Sequence, residues 1–350
     1  MTQTSRLART PLSVLDLAHI RQGGTAADAF RNTTELAKHV EQLGYKRFWL
    51  AEHHNISGVA SAATSVLIGH VAGETKTIRV GSGGVMLPNH APLVIAEQFG
   101  TLETLYPGRI DLGLGRAPGG DFAVTRALRK DLRSNGDDFP ALLEELRHYL
   151  APAKPGQTVT AYPGVGTNVP IWLLGSSGFS AALAAELGLP FAFAAHFQPD
   201  PLLAALDLYR RSFKPSEILD RPYAMAGIPV IAAETDEEAH YLATTSQQMF
   251  LNLIRNHPGP LPPPVKSLDW NSFEESTVAA KLRAAIIGSR ETVRQKLELF
   301  LDETQVDELI IVSNAYEFSA RLRSYELIAE AAGLADRKES IPDNVLSVAR

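Results

Sequence analysis

The sequence predicts an α/β fold in which short β-strands alternate with α-helices along most of the chain. Runs rich in β-branched and small apolar residues recur, and between them apolar residues return at helical spacing. Eight predicted strands are each followed by a helix. A chain of 350 residues that repeats this unit forms either a (β/α)8 TIM barrel or a doubly wound sheet. The alternation by itself does not choose between these two architectures.

Four predicted strands lie in the first third of the chain. The first helix shows the pattern clearly, because Phe30, Leu36, Val40 and Leu43 fall on one face and Gly44 is placed to end it. The predicted strands span residues 13–18, 47–51, 78–83 and 109–114, and the predicted helices span residues 26–43, 60–73 and 92–106.

Two excursions interrupt the alternation, within what we expect to be one domain over residues 1–350. Residues 122–168 are longer than a crossover requires and are rich in Pro and Gly. Residues 256–287 include five prolines between Pro258 and Pro264, where we expect a mobile lid or rim. The later strands are predicted at 171–174, 191–195, 224–232 and 308–313, the helices at 179–187, 201–213, 236–255, from 288 onward and at 318–332, and a C-terminal tail at 334–350.

Composition and charge restrict the class of protein. Hydrophobic residues make up 45% and charged residues 21%, as in folded globular proteins. The net charge of -6, without a Lys/Arg run, argues against a nucleic-acid partner. The chain has no cysteine, which excludes disulfides, thiolate nucleophiles, iron–sulfur clusters and cysteine zinc sites. No apolar stretch of about 18 residues and no signal-peptide core occur, so we expect a cytoplasmic protein with no membrane partner.

Glycine-rich segments follow several predicted strands. At Gly83 and Gly84, and again at residues 113–116, backbone can approach a flat or phosphorylated ligand closely. Residues 175–178 read Gly-Ser-Ser-Gly before a helix and offer N–H groups and hydroxyls to a phosphate, although simple N-capping gives the same pattern. Residues 288–289 are the other helix start of this kind.

Charged and titratable side chains also follow the strands. Arg116 carries a planar, permanently charged group that can bind a phosphate or an anionic ring edge, or form a surface salt bridge. A lone His19 or His196 is more often structural than catalytic. His53 and His54 are neighbours on an extended strand and point to opposite faces, so one of them faces the mouth of a barrel.

Three motifs resemble the bacterial luciferase-like monooxygenase family. They are Phe-Trp-Leu-Ala-Glu-His-His-Asn at 48–55, Gly-Gly-Val-Met-Leu-Pro-Asn-His-Ala-Pro at 83–92 and Gly-Arg-Ile-Asp-Leu-Gly-Leu-Gly-Arg at 108–116. The resemblance covers most of the chain and is clearest over about residues 11–190. It favours the (β/α)8 barrel, with an active site at the C-terminal ends of the strands.

The resemblance implies a flavin enzyme. Reduced FMN, supplied by a separate NAD(P)H:flavin reductase, would react with dioxygen to a flavin 4a-hydroperoxide that oxygenates a small organic substrate, in a homodimer. By position, His53 matches the catalytic histidine and Arg116 the arginine beside the flavin, and Gly83 and Gly84 lie where the family has a cis peptide under the flavin ring. The residues assigned to the phosphate site are Ser176, Ser177 and Ser180.

Several alternatives remain open. A deazaflavin used for hydride transfer is the nearest one within the family, and a flavin-binding protein without turnover lies outside it. A metal-dependent barrel hydrolase fits poorly, because the first strand offers only His19 where such barrels have His-x-His, and the fourth ends in Arg116. No Gly-x-Gly-x-x-Gly dinucleotide fingerprint with a partner acid is present, which agrees with a separate reductase. The substrate is not identified by the sequence, and light emission is not expected.

Overall fold

In a computed structural model, which describes residues 5–117, 122–128 and 137–337, eight parallel strands close into a barrel surrounded by helices. The ring is closed where the last strand pairs with both the first and the seventh. The (β/α)8 prediction is therefore confirmed. The strands are β1 (Leu12–Asp16), β2 (Arg47–Leu50), β3 (Arg79–Met86), β4 (Ile110–Gly115), β5 (Ile171–Gly175), β6 (Phe191–Phe193), β7 (Ala224–Ala233), β8 (Ile286–Ser289) and β9 (Glu308–Val312).

Helices cover the outside of the barrel. The first begins at a capping box, in which Thr25 and Asp28 satisfy each other's backbone N–H groups, and ends at Gly44 in the left-handed conformation (φ 91°). No helix in the described ranges is long and apolar enough to cross a membrane. The helices are α1 (Ala26–Leu43), α2 (Thr64–Glu74), α3 (Pro92–Leu105), α4 (Phe122–Ala127), α5 (Phe139–Leu150), α6 (Gly178–Leu187), α7 (Leu202–Ser212), α8 (Asp236–Ile254), α9 (Ser272–Lys281), α10 (Arg290–Thr304), α11 (Phe318–Ala331) and α12 (Leu334–Arg337).

Side chains alternate between the barrel interior and the helices along each strand. The apolar interior includes Leu15, Trp49 and Trp172, and the two indole rings pack edge to face at 5.2 Å between centroids. The outward-facing side chains, such as those of Val14 and Phe48, pack against the helices.

Charged side chains form the floor of the barrel, at the N-terminal ends of the strands. Arg47 donates to Glu308 at 3.0 Å and to Asp111 at 2.7 Å, and all three side chains are buried. Trp49 and Arg79 donate further hydrogen bonds to Asp111. The Arg47 and Arg79 charges outweigh the burial of Asp111 and lower its pKa to about 2. These side chains fill the N-terminal end of the barrel interior. The open end of the barrel therefore lies at the C-terminal ends of the strands.

Four elements in or next to the excursions were not predicted: α4 and α5 lie in the first excursion, and β8 and α9 lie in or directly after the second. β8 pairs only with the C-terminal half of β7 and lies outside the barrel ring. α9 begins at a capping box between Asn271 and Glu274 and buries a single apolar side chain, Val278. At the C-terminus the expected tail is helical where it is described, over α12, and residues 338–350 lie outside the described residues. Residues 129–136 of the first excursion lie outside them as well.

The proline-rich segment is held on both sides, contrary to the expectation of a mobile lid. Leu261 exchanges backbone hydrogen bonds with the segment after β1, donating to Ile20 at 2.8 Å and accepting from Gln22 at 2.9 Å. From α8, Thr245 and Gln248 donate to carbonyl oxygens of the segment at 3.1 and 2.7 Å. The segment therefore forms a rim of the barrel mouth that is hydrogen-bonded to α8 and to the segment after β1.

Candidate active site

The Gly83–Gly84 peptide lies at the mouth of the barrel and is cis, as the resemblance implied. A Cβ at Gly83 would lie 2.7 Å from the Leu15 side chain and 3.1 Å from Cβ of Trp49. A Cβ at Gly84 would lie 2.7 Å from the carbonyl oxygen of Gly113. Only glycine fits these contacts, so bare backbone lies directly above the apolar interior.

Arg116 follows β4 and packs against the first turn of α6. Its guanidinium lies over the ring of Phe179, 4.1 Å from the centroid, in a cation–π contact. No ion pair of Arg116 is present among the described residues, and the side chain is half-buried. Its charge therefore lies beside the N-terminus of α6, and no carboxylate of the described residues pairs with it.

Three serines surround the N-terminus of α6. Ser177 is the N-cap, with extended backbone, yet no side chain caps the helix. Ser177 is exposed, Ser176 is half-buried, and Ser180 is buried with its hydroxyl close to Gly175, where an added Cβ would lie 2.7 Å from it. Among the described residues, no side chain accepts from the first N–H groups of the helix, and a helix end of this kind favours an anion.

The other glycine-serine helix start, at α10, already holds an anion from the protein itself. Asp236 accepts from the Ser289 N–H at 2.6 Å and from the Thr292 hydroxyl at 3.2 Å. The Ser289 N–H lowers the pKa of Asp236, with help from Thr292. Of the two phosphate sites expected from the sequence, only the one at α6 is therefore open.

His53 and His54 follow the end of β2 and differ in their hydrogen bonds. His54 forms a hydrogen bond with the carboxylate of Glu52 at 2.8 Å. Glu52 is buried, forms a second hydrogen bond with His90 at 2.9 Å and accepts a third from the Met86 N–H at 3.1 Å. Burial would raise the pKa of Glu52, but these hydrogen bonds and the His90 charge hold it below its usual value. Glu52, which follows β2, is thus hydrogen-bonded to the C-terminal end of β3. His53, in contrast, has a buried Nδ1 with no hydrogen-bond partner in the described chain.

The rings of His19 and His196 lie close enough to His53 for its charge to act on them. Burial is the largest cause that lowers the pKa of each to about 4, Arg321 adds to it at His19, and a positive His53 contributes at both. The pKa of His53 is also lowered, chiefly by burial. His19 and His196, expected from the sequence to be structural, therefore join His53 in one cluster of neutral imidazoles. A metal-binding group of three or more His, Cys, Asp or Glu is not found among the described residues.

Two residues of this site were assigned no role from the sequence. Phe179 supports Arg116, and Asn314, at the end of β9, has a buried Oδ1 without a partner in the described residues. Their signal is position alone, because both follow predicted strands where a barrel carries its site.

The fold is that of many barrel enzymes, and one mouth of the barrel combines an uncapped helix N-terminus, a glycine pair without side chains and three histidines that each have a buried ring nitrogen. The chain belongs to the luciferase-like monooxygenase family, whose model matches residues 10–326.

Close relatives span almost the whole chain. A luciferase-like monooxygenase of Escherichia coli (strain K12) is 52% identical over 317 residues, which are 90% of this chain and 95% of the relative. The N-acetyl-S-alkylcysteine monooxygenase of Bacillus subtilis (strain 168) is 34% identical over 340 residues, 93% of this chain and 99% of the relative. The crystal structure of apo-MsnO8 has a TM-score of 0.84 at 37% identity and covers 93% of this chain and 99% of its own.

More distant solved structures share the fold with different cofactors. One is the oxygenating constituent of 3,6-diketocamphane monooxygenase from Pseudomonas putida in complex with FMN, with a TM-score of 0.70 at 18% identity over 93% of this chain and 98% of its own. Another is an F420-dependent secondary alcohol dehydrogenase with an F420–acetone adduct, with a TM-score of 0.68 at 15% identity over 93% of this chain and 99% of its own. At such identities the likeness is one of fold and does not select a cofactor.

Proposed function

We propose that this protein is a monooxygenase that binds reduced FMN and transfers one atom of dioxygen to a small organic substrate. The observation that carries the proposal is the open N-terminus of α6 beside the guanidinium of Arg116. A helix N-terminus and an arginine without an ion pair among the described residues together favour a phosphorylated, anionic ligand. At α10, Asp236 already accepts from the Ser289 N–H, so we place the phosphate at α6.

The residues present fit a flavin mononucleotide. Ser176, Ser177 and Ser180, with the N–H groups of α6, would hold its phosphate. Arg116 would neutralise negative charge on the phosphate or on the reduced ring. Gly83 and Gly84 present no side chain, so a flat ring can lie against the backbone there.

His53 is the group assigned to proton transfer. When bound, reduced FMN supplies the activation of dioxygen. Burial lowers the pKa of His53, which favours the neutral ring, and its Nδ1 is buried without a partner in the described residues. Its ring can hold a proton at Nδ1 and give it to a reacting oxygen, while the burial of the mouth keeps water away.

Two partners complete the proposal. An NAD(P)H:flavin reductase would supply the reduced FMN, since the sequence lacks a dinucleotide fingerprint. A second copy of this chain would cover α2 and α3, which pack side by side and leave Val66 73%, Val94 43% and Leu105 62% exposed. Apolar side chains this exposed on neighbouring helices are typical of an interface.

Cofactor titration tests the proposal. We expect FMN to bind and riboflavin, which lacks the phosphate, to bind more weakly. Ser177→Ala should weaken FMN binding, whereas Ser289→Ala, the matched change at the closed helix start, should not. Preference for F420 would replace the proposal by hydride transfer to or from a deazaflavin.

Turnover is then measured with reduced FMN and labelled dioxygen. S-alkylcysteine thioethers are the first compounds to test, because one relative is named for such a substrate. Label in a product supports a monooxygenase. Tight FMN binding without any oxygenated product across a broad substrate panel would instead support a flavin-binding protein.

A further inference from the structure

The second excursion, residues 256–287, runs along one side of the barrel mouth. At its start, the proline-rich rim is hydrogen-bonded to the segment after β1. Toward its end, Lys281 donates to Gln198 at 2.8 Å and Arg283 forms an ion pair with Asp200, and both acceptors lie in the segment after β6. In the barrel ring, β1, β9, β7 and β6 are neighbours in that order. The excursion therefore forms a wall of the mouth along these four strands.

The proposed flavin site lies on the other strands of the ring. Gly83 and Gly84 belong to β3, Arg116 follows β4, and α6 begins after β5. The β6 end of the wall is next to this site, because β5 pairs with β6. A substrate that approaches a flavin at these strand ends therefore meets the side chains at the β6 end of the wall.

Two side chains at this end of the wall combine an apolar surface with a positive charge. Phe197 is 57% exposed, although Ala195 just before it is buried. The ammonium of Lys281 lies 5.5 Å from the centroid of the Phe197 ring, and Lys281 is half-buried. Ligand sites are mostly apolar and carry a few polar groups that fix the orientation of the ligand. The pair of Phe197 and Lys281 has both of these features.

The charge of Lys281 is not neutralised within the described ranges. Its one hydrogen-bond partner there is the neutral amide oxygen of Gln198, and no carboxylate lies within ion-pair distance. An ammonium has three donors, so two of them remain for a ligand. The nearby carboxylate of Asp200 already pairs with Arg283. In a chain with a net charge of -6, this local positive charge favours an anionic group on the ligand.

We propose that Phe197 and Lys281 form a subsite for a substrate that carries a carboxylate beside an apolar group. The inference rests on the proposed function, because this substrate is the compound that would be oxygenated. Lys281 donates to the carboxylate, and the ring of Phe197 packs against the apolar part. The subsite thus selects small organic acids over neutral compounds of the same shape, and no bond of the substrate is made or broken there.

The role of the charge is tested with (benzylthio)acetate and its neutral amide as probes. Calorimetry gives their dissociation constants on the full-length protein, with and without FMN. The acid should bind about tenfold more tightly than the amide, as expected for a hydrogen bond between charged groups. Lys281→Met should abolish this preference, and Lys281→Arg should keep it. Lys266→Met, at an exposed lysine of the same excursion, should leave the preference unchanged.

The role of the aromatic ring is tested with Phe197→Leu. This variant keeps an apolar side chain but loses the ring face, so acid and amide should both bind about twofold to tenfold more weakly. Phe273→Leu is the matched control, because Phe273 is 74% exposed at the other end of α9. Equal affinities of Phe197→Leu and the wild type for both probes would show that the ring does not contact the ligand.

Three results would overturn the subsite. The first is a wild type that binds the two probes equally or binds neither. The second is equal weakening of acid and amide in Lys281→Met, which would show that Lys281 only holds the segment after β6. The third is a loss of FMN affinity in Lys281→Met with riboflavin binding retained, which would place Lys281 at the flavin phosphate. Failure of the wild type to bind FMN refutes the proposed function instead, and the comparison of the probes without FMN still decides the subsite.

Discussion

His53 and His54 are adjacent in sequence but have different surroundings, and this difference separates function from stability. His54 bonds the buried carboxylate of Glu52, whereas the Nδ1 of His53 has no partner among the described residues. The buried Nδ1 of His53 is therefore available to bond a ligand. The two residues therefore offer a matched pair for mutation.

We expect His53→Ala to lower coupled turnover by about 100 to 10,000-fold, the range for losing a general acid or base. Its thermal midpoint and its affinity for FMN should stay close to those of the wild type. Reduced flavin should then yield hydrogen peroxide in place of product, measured by peroxide assay alongside product formation. Full coupled activity in His53→Ala would show that this histidine is structural.

His54→Ala should show the reverse pattern. It removes one of the hydrogen bonds to buried Glu52, which costs about 1 to 3 kcal/mol of unfolding free energy. Turnover should change less than in His53→Ala. Urea unfolding of both variants measures the loss of unfolding free energy. Equal stabilities of His54→Ala and His53→Ala would contradict the expected loss.

Acid should destabilise the protein through its buried histidines. In the unfolded chain these rings have a pKa of 6.5, but His19 and His196 have folded values of about 4. Between these values the unfolded chain binds more protons, so stability is full above about pH 6.5 and falls as the pH drops toward 4, by on the order of 3 kcal/mol per ring. Asp111, with a folded pKa of about 2, loses its contribution only at lower pH. His196→Gln should flatten the dependence between pH 7 and 5 in urea titrations, and an unaltered slope would contradict this account.

At the scale of elements, one close backbone contact adds to the hydrogen bonds that hold the rim. A Cβ at Gly58 would lie 2.1 Å from the carbonyl oxygen of Gly259, whereas a Cβ at Gly259 meets nothing within 4 Å. Gly58→Ala should therefore push the proline-rich rim away from the segment after β1, and Gly259→Ala should not. Limited proteolysis should cut Gly58→Ala faster within residues 255–265 than either the wild type or the control. Equal cleavage of all three would show that the rim is held by other contacts.

The barrel strands were predictable because their apolar runs are bounded by glycine and polar residues. β8 was missed because it has four residues and pairs only with an extension of β7, a tertiary contact that leaves little trace in local sequence. α9 was missed because it buries only Val278 and so lacks an apolar stripe.

The site was predictable in part. His53, Arg116 and the glycine pair belong to recognisable motifs at strand ends. A cavity that His19 and Asn314 both line depends on barrel closure, which brings β1 beside β9 from opposite ends of the chain. The closing of the α10 helix start by Asp236 is another long-range contact, across 53 residues of sequence.

At the scale of the whole molecule, the exposed apolar surface of α2 and α3 predicts self-association. Val66→Glu and Leu105→Glu would place charges in the proposed interface, and each should shift the protein from dimer to monomer in light scattering. Leu299, 69% exposed on α10, provides the control. Leu299→Glu should leave the mass unchanged, and a wild-type protein that is monomeric at micromolar concentration would contradict the homodimer.

The charged floor also has a kinetic consequence. Arg47, Asp111 and Glu308 fill the N-terminal end of the barrel, so a ligand reaches the interior from the other end. A flavin lying on Gly83 and Gly84 would be the deepest ligand, and the substrate would lie above it, nearer the entrance. Binding should then be sequential, with the flavin arriving first and departing last, and product should inhibit by blocking flavin exchange. Product-inhibition patterns that fit random order would show that a second entrance exists.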